Sequence, residues 1–119
     1  MTMNSSWGYV PDDDTWKSPA LLLHTLIEAV SMGGNLLLNV GPTGQGEFPP
    51  QAVERLEAIA GWLERHAESV QGTDPGLTLW QFHGPSTRRT LPDGGTRIYL
   101  HLVTLPIRET GSPRTVTRS

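Results

Sequence analysis

Gly33-Gly34-Asn35-Leu36-Leu37-Leu38-Asn39-Val40-Gly41-Pro42 is the stretch on which the fold turns. Its leucines and valine stand between glycines, in a run too short for a helix and without the alternation of a half-exposed strand. Such runs fit strands buried on both faces, as in parallel sheets. Leucine is not among the strongest strand formers, so length and context carry this assignment. Upstream, Ser18-Pro19 predicts a helix start, with a hydroxyl at the N-cap and proline in the first turn. Leu21, Leu22, Leu23, Leu26, Ile27, Ala29 and Val30 give that helix a wide apolar arc, and His24, Thr25, Glu28 and Ser31 form its thin polar stripe. Gly33-Gly34 ends it, because glycine takes the left-handed cap conformation without a Cβ clash.

Downstream, the segment from Gly41 to Pro50 reads as a loop. A second helix is expected from about Gln51 to Arg65, since Val53, Leu56, Ala60, Leu63 and Ala67 recur at helical spacing, with Ile59 and Trp62 widening the face. The order is therefore helix, strand, helix. One buried strand cannot make a sheet, so it implies neighbouring strands that these residues do not supply. The expectation is a fragment of a larger protein.

Beyond Gly72-Thr73-Asp74-Pro75-Gly76 the pattern changes. Leu77 to Phe82, Thr87 to Leu91 and Thr96 to Leu105 read as strands, the last two joined by the hairpin signal Pro92-Asp93-Gly94-Gly95. In the final strand Ile98, Leu100 and Leu102 form an aliphatic face, and Tyr99, His101 and Val103 a mixed one. Residues 107–119, rich in Thr, Ser, Pro, Gly and Arg, are expected to be a disordered tail.

Composition bounds the partners. Among 119 residues, 9 Lys and Arg stand against 12 Asp and Glu, a formal charge of −3. Nucleic-acid binding needs clustered cations, so no nucleic-acid partner is expected. No apolar run is long enough to span a membrane, and no signal peptide is visible. The absence of cysteine excludes disulfides, thiolate zinc sites and a cysteine nucleophile, but it leaves the compartment open.

Few residues carry chemistry by spacing alone. His24, His66, His83 and His101 lie far apart in sequence and read as surface or packing residues. Asp12, Asp13 and Asp14 read as a solvated turn with too few neighbouring ligands for a hard cation. The glycine-rich loop after Val40 has the strand–loop–helix position of a phosphate cradle, yet it lacks Lys-Ser/Thr, and Pro42, Pro49 and Pro50 remove backbone donors. In a (β/α) barrel the same loop lies on the active-site face, which would bring Asn39 and Gly41 near a substrate. Glu47 alone is a weak general-acid candidate, because glycoside hydrolysis needs two carboxylates. Trp7, Tyr9 and Trp16 form an aromatic loop suited either to stacking on sugar faces or to covering the barrel end.

Ser6-Trp7-Gly8-Tyr9, Trp16-Lys17-Ser18, the block from Gly33 to Pro42, Gly61-Trp62-Leu63 and Glu68-Ser69-Val70-Gln71-Gly72-Thr73 occur in the order of the family 29 glycoside hydrolases, the α-L-fucosidases. The chain resembles that family strongly over residues 1–73 and weakly over 74–106. The resemblance implies a fold that is α/β followed by β. Residues 1–73 would be the last α-β-α portion of a (β/α) TIM-like barrel, and residues 74–106 the first strands of a C-terminal β-sandwich. It also implies a retaining exo-glycosidase that hydrolyses terminal α-L-fucose from glycans, with no cofactor and no metal. In the family, the nucleophilic aspartate, the acid/base glutamate and the sugar-gripping histidines lie upstream of the Trp-Gly-Tyr motif. No catalytic residue is therefore inherited here, and Glu47 and Glu68 do not fill those roles. Trp7 is the one inherited substrate-binding residue, at the border of the pocket for the fucose methyl group. Gln45 departs from the acid often found before the loop glycine.

The expected function is thus that of an α-L-fucosidase fragment, inactive on its own. The alternative is a non-catalytic carbohydrate-binding or interaction module using Trp7, Tyr9, Trp16 and Trp80, and a weaker one is phosphate binding by the glycine loop. The expected partners are a fucosylated glycan and, through exposed apolar surface, a second copy of the chain.

Overall fold

The computed structural model describes residues 1–78, 80–103 and 114–118. Helix α1 spans Pro19–Ser31 and helix α2 spans Pro50–His66, followed by a 3-10 turn at Ala67–Ser69. Four short strands, β1 (Asp74–Pro75), β2 (Ser86–Thr90), β3 (Thr96–Leu102) and β4 (Arg114–Arg118), form one antiparallel sheet in chain order.

The helix ends follow from local chemistry. Ser18 Oγ accepts from Leu21 N at 3.1 Å, satisfying a donor that the first turn leaves open. At the other end Gly33 adopts φ 82°. Gly33 N then donates to Val30 O at 3.0 Å and Gly34 N to Ala29 O at 2.8 Å, the paired bonds of a Schellman cap.

Two apolar clusters join the helices. Leu23, Ile27, Trp62 and Val70 form one, and Met3, Leu22 and Ala52 the other. Helix α2 is turned slightly from the expected stripe. Ala52 and Trp62 are buried, Ile59 packs against both clusters, and Val53 is exposed. The bulk of Ile59 and Trp62, with Met3 closing over Ala52, sets the buried face.

Several expected elements take another form. The leucine run at 35–40 is not a ladder strand among the described residues. It makes an isolated parallel bridge, Thr2 to Asn39, in which Met1 N donates to Leu37 O at 3.1 Å and Asn39 N to Met1 O at 2.8 Å. A two-residue neighbour cannot propagate a ladder. The expected strand at Leu77 to Phe82 is replaced over its described residues by a turn. Gln81 N and Phe82 N both donate to Thr78 O at 3.0 Å, and Gln81 Oε1 accepts from Thr78 N at 3.1 Å. Leu79 lies outside the described residues. Asp74–Pro75, in the stretch where the sequence pattern changes, pairs with Thr87 and Arg88.

The hairpin forms as expected, with Leu91 N donating to Gly95 O at 2.7 Å and Gly94 N to Leu91 O at 3.0 Å. Its second strand ends at Leu102, and residues 104 and 105 lie outside the described ones. The tail expectation at 107–119 fails over Arg114–Arg118, which pair with β3 as β4, and residues 107–113 and 119 lie outside the described ones. Alternating Thr and Val within Arg114–Arg118 suits a strand once β3 offers an edge. On β3 the mixed face is the more buried one, since Tyr99 and His101 are 1% exposed while Ile98 and Leu100 are only half-buried.

Candidate functional site

The aromatic loop and the leucine segment meet at one place. Asn39 Nδ2 donates to Trp7 O at 2.8 Å, across 32 residues of sequence. Gly41 lies against the same loop, so that a Cβ there would stand 2.6 Å from Gly8 C and 2.7 Å from Tyr9 N. No side chain fits in that space, and the Trp7-Gly8-Tyr9 backbone rests directly on Gly41. Trp7 itself is 65% exposed and Tyr9 43%. The backbone is fixed while both rings face water.

The loop is anchored from its other side by Asp13. Its Oδ1 accepts from Thr15 N at 2.9 Å and from Thr15 Oγ1 at 2.5 Å, and Oδ2 accepts from Asn4 Nδ2 at 3.1 Å. The Thr15 bonds, side chain first and backbone second, hold the Asp13 carboxyl below its ordinary pKa, with Asn4 adding to the effect. Lys17 Nζ donates to Thr2 O at 2.7 Å and to Asn4 O at 3.0 Å. Buried Met3 ties the strap to the core.

The acidic run is therefore a structural turn built around Asp13. Among the described residues no three His, Cys, Asp or Glu side chains gather as a metal site. Trp16 leaves the expected aromatic trio. Its ring packs on the Met3–Leu22–Ala52 cluster, Nε1 donates to Asp13 O at 2.9 Å, and Arg55 lies 5.6 Å from the ring centroid. Trp80 is 99% exposed. Glu47 is exposed, and its backbone closes a loop turn with Thr43. The Glu68 carboxylate receives the Tyr99 hydroxyl at 2.9 Å and stands 3.5 Å from Arg97 Nη1. The Asn39–Trp7 bond and the seat on Gly41 have no sequence signal beyond the Asn-Val-Gly tripeptide itself, because both join segments distant along the chain.

An α/β unit of two helices and an antiparallel sheet, with an aromatic loop strapped over a leucine segment, has close counterparts. Residues 1–68 match the family model described as alpha-L-fucosidase. The chain belongs to the α-L-fucosidase family. Human tissue alpha-L-fucosidase is 36% identical over 101 residues, covering 81% of this chain and 21% of that protein. The Dictyostelium discoideum alpha-L-fucosidase is 37% identical over 76 residues, covering 62% of this chain and 16% of that protein. Among solved structures, alpha-L-fucosidase isoenzyme 1 from Paenibacillus thiaminolyticus superposes with a TM-score of 0.79 at 31% identity, covering 90% of this chain and 24% of that one. The Thermotoga maritima alpha-fucosidase gives 0.72 at 31% identity, covering 89% and 25%. The chain thus spans about one fifth of the length of the human relative, the share being 21%.

Proposed function

We propose that these residues serve an α-L-fucosidase that removes terminal α-L-fucose from glycans. Residues 1–73 contribute the last α-β-α portion of its (β/α) barrel, and residues 74–106 open its β-sandwich. The observation that carries this reading is the Trp7 loop, seated on Gly41 and bonded to Asn39 at 2.8 Å, at the end of the leucine segment. A barrel presents that end of its strands to substrate. Trp7 there offers an exposed apolar ring to the methyl-bearing edge of fucose, while Asn39 holds the backbone of the loop.

Retaining hydrolysis needs a carboxylate nucleophile and a second carboxyl group as acid and base, about 5 Å apart. Glu47 is exposed on a loop, and Glu68 is engaged by Tyr99 and Arg97 at the sheet, which supports structural roles for both. The 119 residues by themselves therefore bind at most one edge of the sugar and do not turn it over. A fluorogenic aryl α-L-fucoside assay on the purified chain tests this. Release at the level of a heat-killed blank is expected, and release above it overturns the assignment of the chemistry to residues outside these.

A non-catalytic sugar-binding role has one observation in its favour, the exposure of the Trp7 and Tyr9 rings on a fixed backbone. Titration with L-fucose, followed by tryptophan fluorescence, separates the two. A saturable shift that Trp7→Ala removes favours the binding module.

A further inference from the structure

Phe48 is a large apolar side chain that the fold leaves in water. It is 55% exposed and belongs to neither apolar cluster. Its backbone, by contrast, is fixed on both sides. Thr43 N donates to Glu47 O at 2.7 Å and Gly46 N to Thr43 O at 2.9 Å, while Thr43 Oγ1 accepts from Glu47 N at 3.2 Å. Gly46 takes φ 79° in this turn. The chain therefore reverses over residues 43–47 and returns Phe48 to the neighbourhood of Pro42. On its other side Phe48 precedes Pro49, which is buried and whose carbonyl accepts from Ala52 N at 3.0 Å and Val53 N at 3.1 Å as α2 begins. A residue before proline is confined to extended backbone. The ring is thus carried on a preorganised loop. Gly41, next to Pro42, lies directly against Gly8 and Tyr9. Gly41-Pro42 therefore links Phe48 to the Trp7-Gly8-Tyr9 loop, and the two aromatic segments share one end of the leucine segment.

We propose that Phe48 is a specificity-determining residue whose ring stacks on the sugar that carries the terminal fucose. This rests on the fucose reading of Trp7 and adds a second subsite beside it. The chemistry of fucose places that subsite. Its methyl-bearing carbon and its anomeric carbon are both bonded to the ring oxygen, so a residue at the methyl edge stands next to the glycosidic linkage. The sugar on the far side of that linkage begins where the loop at 41–48 lies. The occupant is a pyranose such as galactose, which presents several C–H bonds on one face to an aromatic ring. Because the turn and Pro49 already order the backbone, the ring binds without the entropy cost of fixing a loop.

Phe48 also stands one residue before the N-cap of α2, where an apolar side chain can close over the residue at the fourth helical position, here Val53. Phe48 and Val53 are 55% and 37% exposed, so a staple of that kind leaves much of the ring open. Leucine would serve the staple as well as phenylalanine does, but it offers no flat face to a sugar.

Saturation-transfer NMR on the full chain, titrated with methyl α-L-fucoside and with 2-O-α-L-fucosyl-D-galactose, separates the two subsites. The fucose methyl protons report the Trp7 edge, and the galactose ring protons report Phe48. Both sets are expected to receive saturation, and the disaccharide should bind about 5-fold more tightly than the methyl fucoside, the worth of one stacking contact. Phe48→Leu should remove the galactose signal and bring the disaccharide to the affinity of the methyl fucoside. Phe48→Tyr keeps the ring and should keep both the signal and the difference. Saturated fucose methyl protons without a galactose signal, equal affinities in the parent, a difference that survives Phe48→Leu, or one that Phe48→Tyr abolishes each overturns the second subsite. Absence of any fucose methyl signal is a separate result, which overturns the fucose reading of Trp7 and the role of Phe48 with it.

Discussion

Gly41 shows how one atom fixes the candidate site. The backbone of Gly8 and Tyr9 occupies the space a Cβ would need, at 2.6 Å and 2.7 Å. Backbone atoms cannot swing aside as a flexible side chain can, so Gly41→Ala must displace the aromatic loop or the leucine segment. The expected cost is about 1 to 3 kcal/mol, the usual range for overpacking. The Asn39 bond to Trp7 O, which depends on the same approach, should break with it. Asn39→Ala removes the bond without the clash and is expected to cost about 1 kcal/mol. Urea unfolding gives both values, and tryptophan fluorescence anisotropy reports release of Trp7. An unchanged midpoint in Gly41→Ala would show that the loop does not rest on this residue. Asp13 works on the other side of the same loop through three hydrogen bonds to its carboxylate, which hold the carboxyl below its ordinary pKa.

At the scale of elements, α1 is fixed by two caps and by one buried face. Ile27 is fully buried among Leu23, Trp62 and Val70, while Leu21 on the same helix is 46% exposed. Ile27→Ala should cost about 2 to 5 kcal/mol, and Leu21→Ala about 0.5 kcal/mol or less. Similar shifts in the urea midpoint for the two would contradict the burial pattern. Both helices were legible from sequence because caps and apolar periodicity are local: Ser18, Pro19 and Gly33 mark α1, and Ile59 and Trp62 mark the inner face of α2. Strands depend on partners, and there local reading ran out. Leu36 to Val40 has the composition of a buried strand, but Met1 and Thr2 supply only one bridge. Thr78 and Gln81 close a turn through a side-chain amide, which an apolar count across Leu77 to Phe82 cannot register. On β3 the alternation of an aliphatic and a mixed face was legible, but which of the two is buried was not. The carbonyls of Glu68, Ser69 and Gln71 bring donors from Thr87 and Arg89 to the inner face, where Tyr99 and His101 accompany them. The aromatic character of the candidate site was legible at Trp7 and Tyr9. The seat beneath them was not, because Asn39 reaches Trp7 only through the folded chain.

The molecule as a whole is elongated for its length. Its radius of gyration is 16.1 Å, with extents of 51 × 32 × 22 Å. A compact domain of this length would have a radius of about 13.5 Å. Large apolar side chains stand uncovered on it: Trp80 is 99% exposed, Met32 83% and Leu37 79%. Leu37 matters most, because it sits in an extended segment whose described ladder pairing is limited to one bridge. Unpaired extended backbone with leucine side chains is a template for intermolecular pairing. The chain alone is therefore expected to self-associate. Sedimentation velocity over roughly 1 to 100 µM should show a sedimentation coefficient that rises with concentration, as mass action requires. Leu37→Lys places a charge on the exposed segment without touching either apolar cluster, so it should suppress association and leave the urea midpoint within about 0.5 kcal/mol of the parent. Met32→Lys, at the end of α1, controls for the general effect of an added charge and should act more weakly, because no unpaired strand edge lies there. A monomer with a concentration-independent coefficient, or equal suppression by both variants, would remove the leucine segment as the site of association.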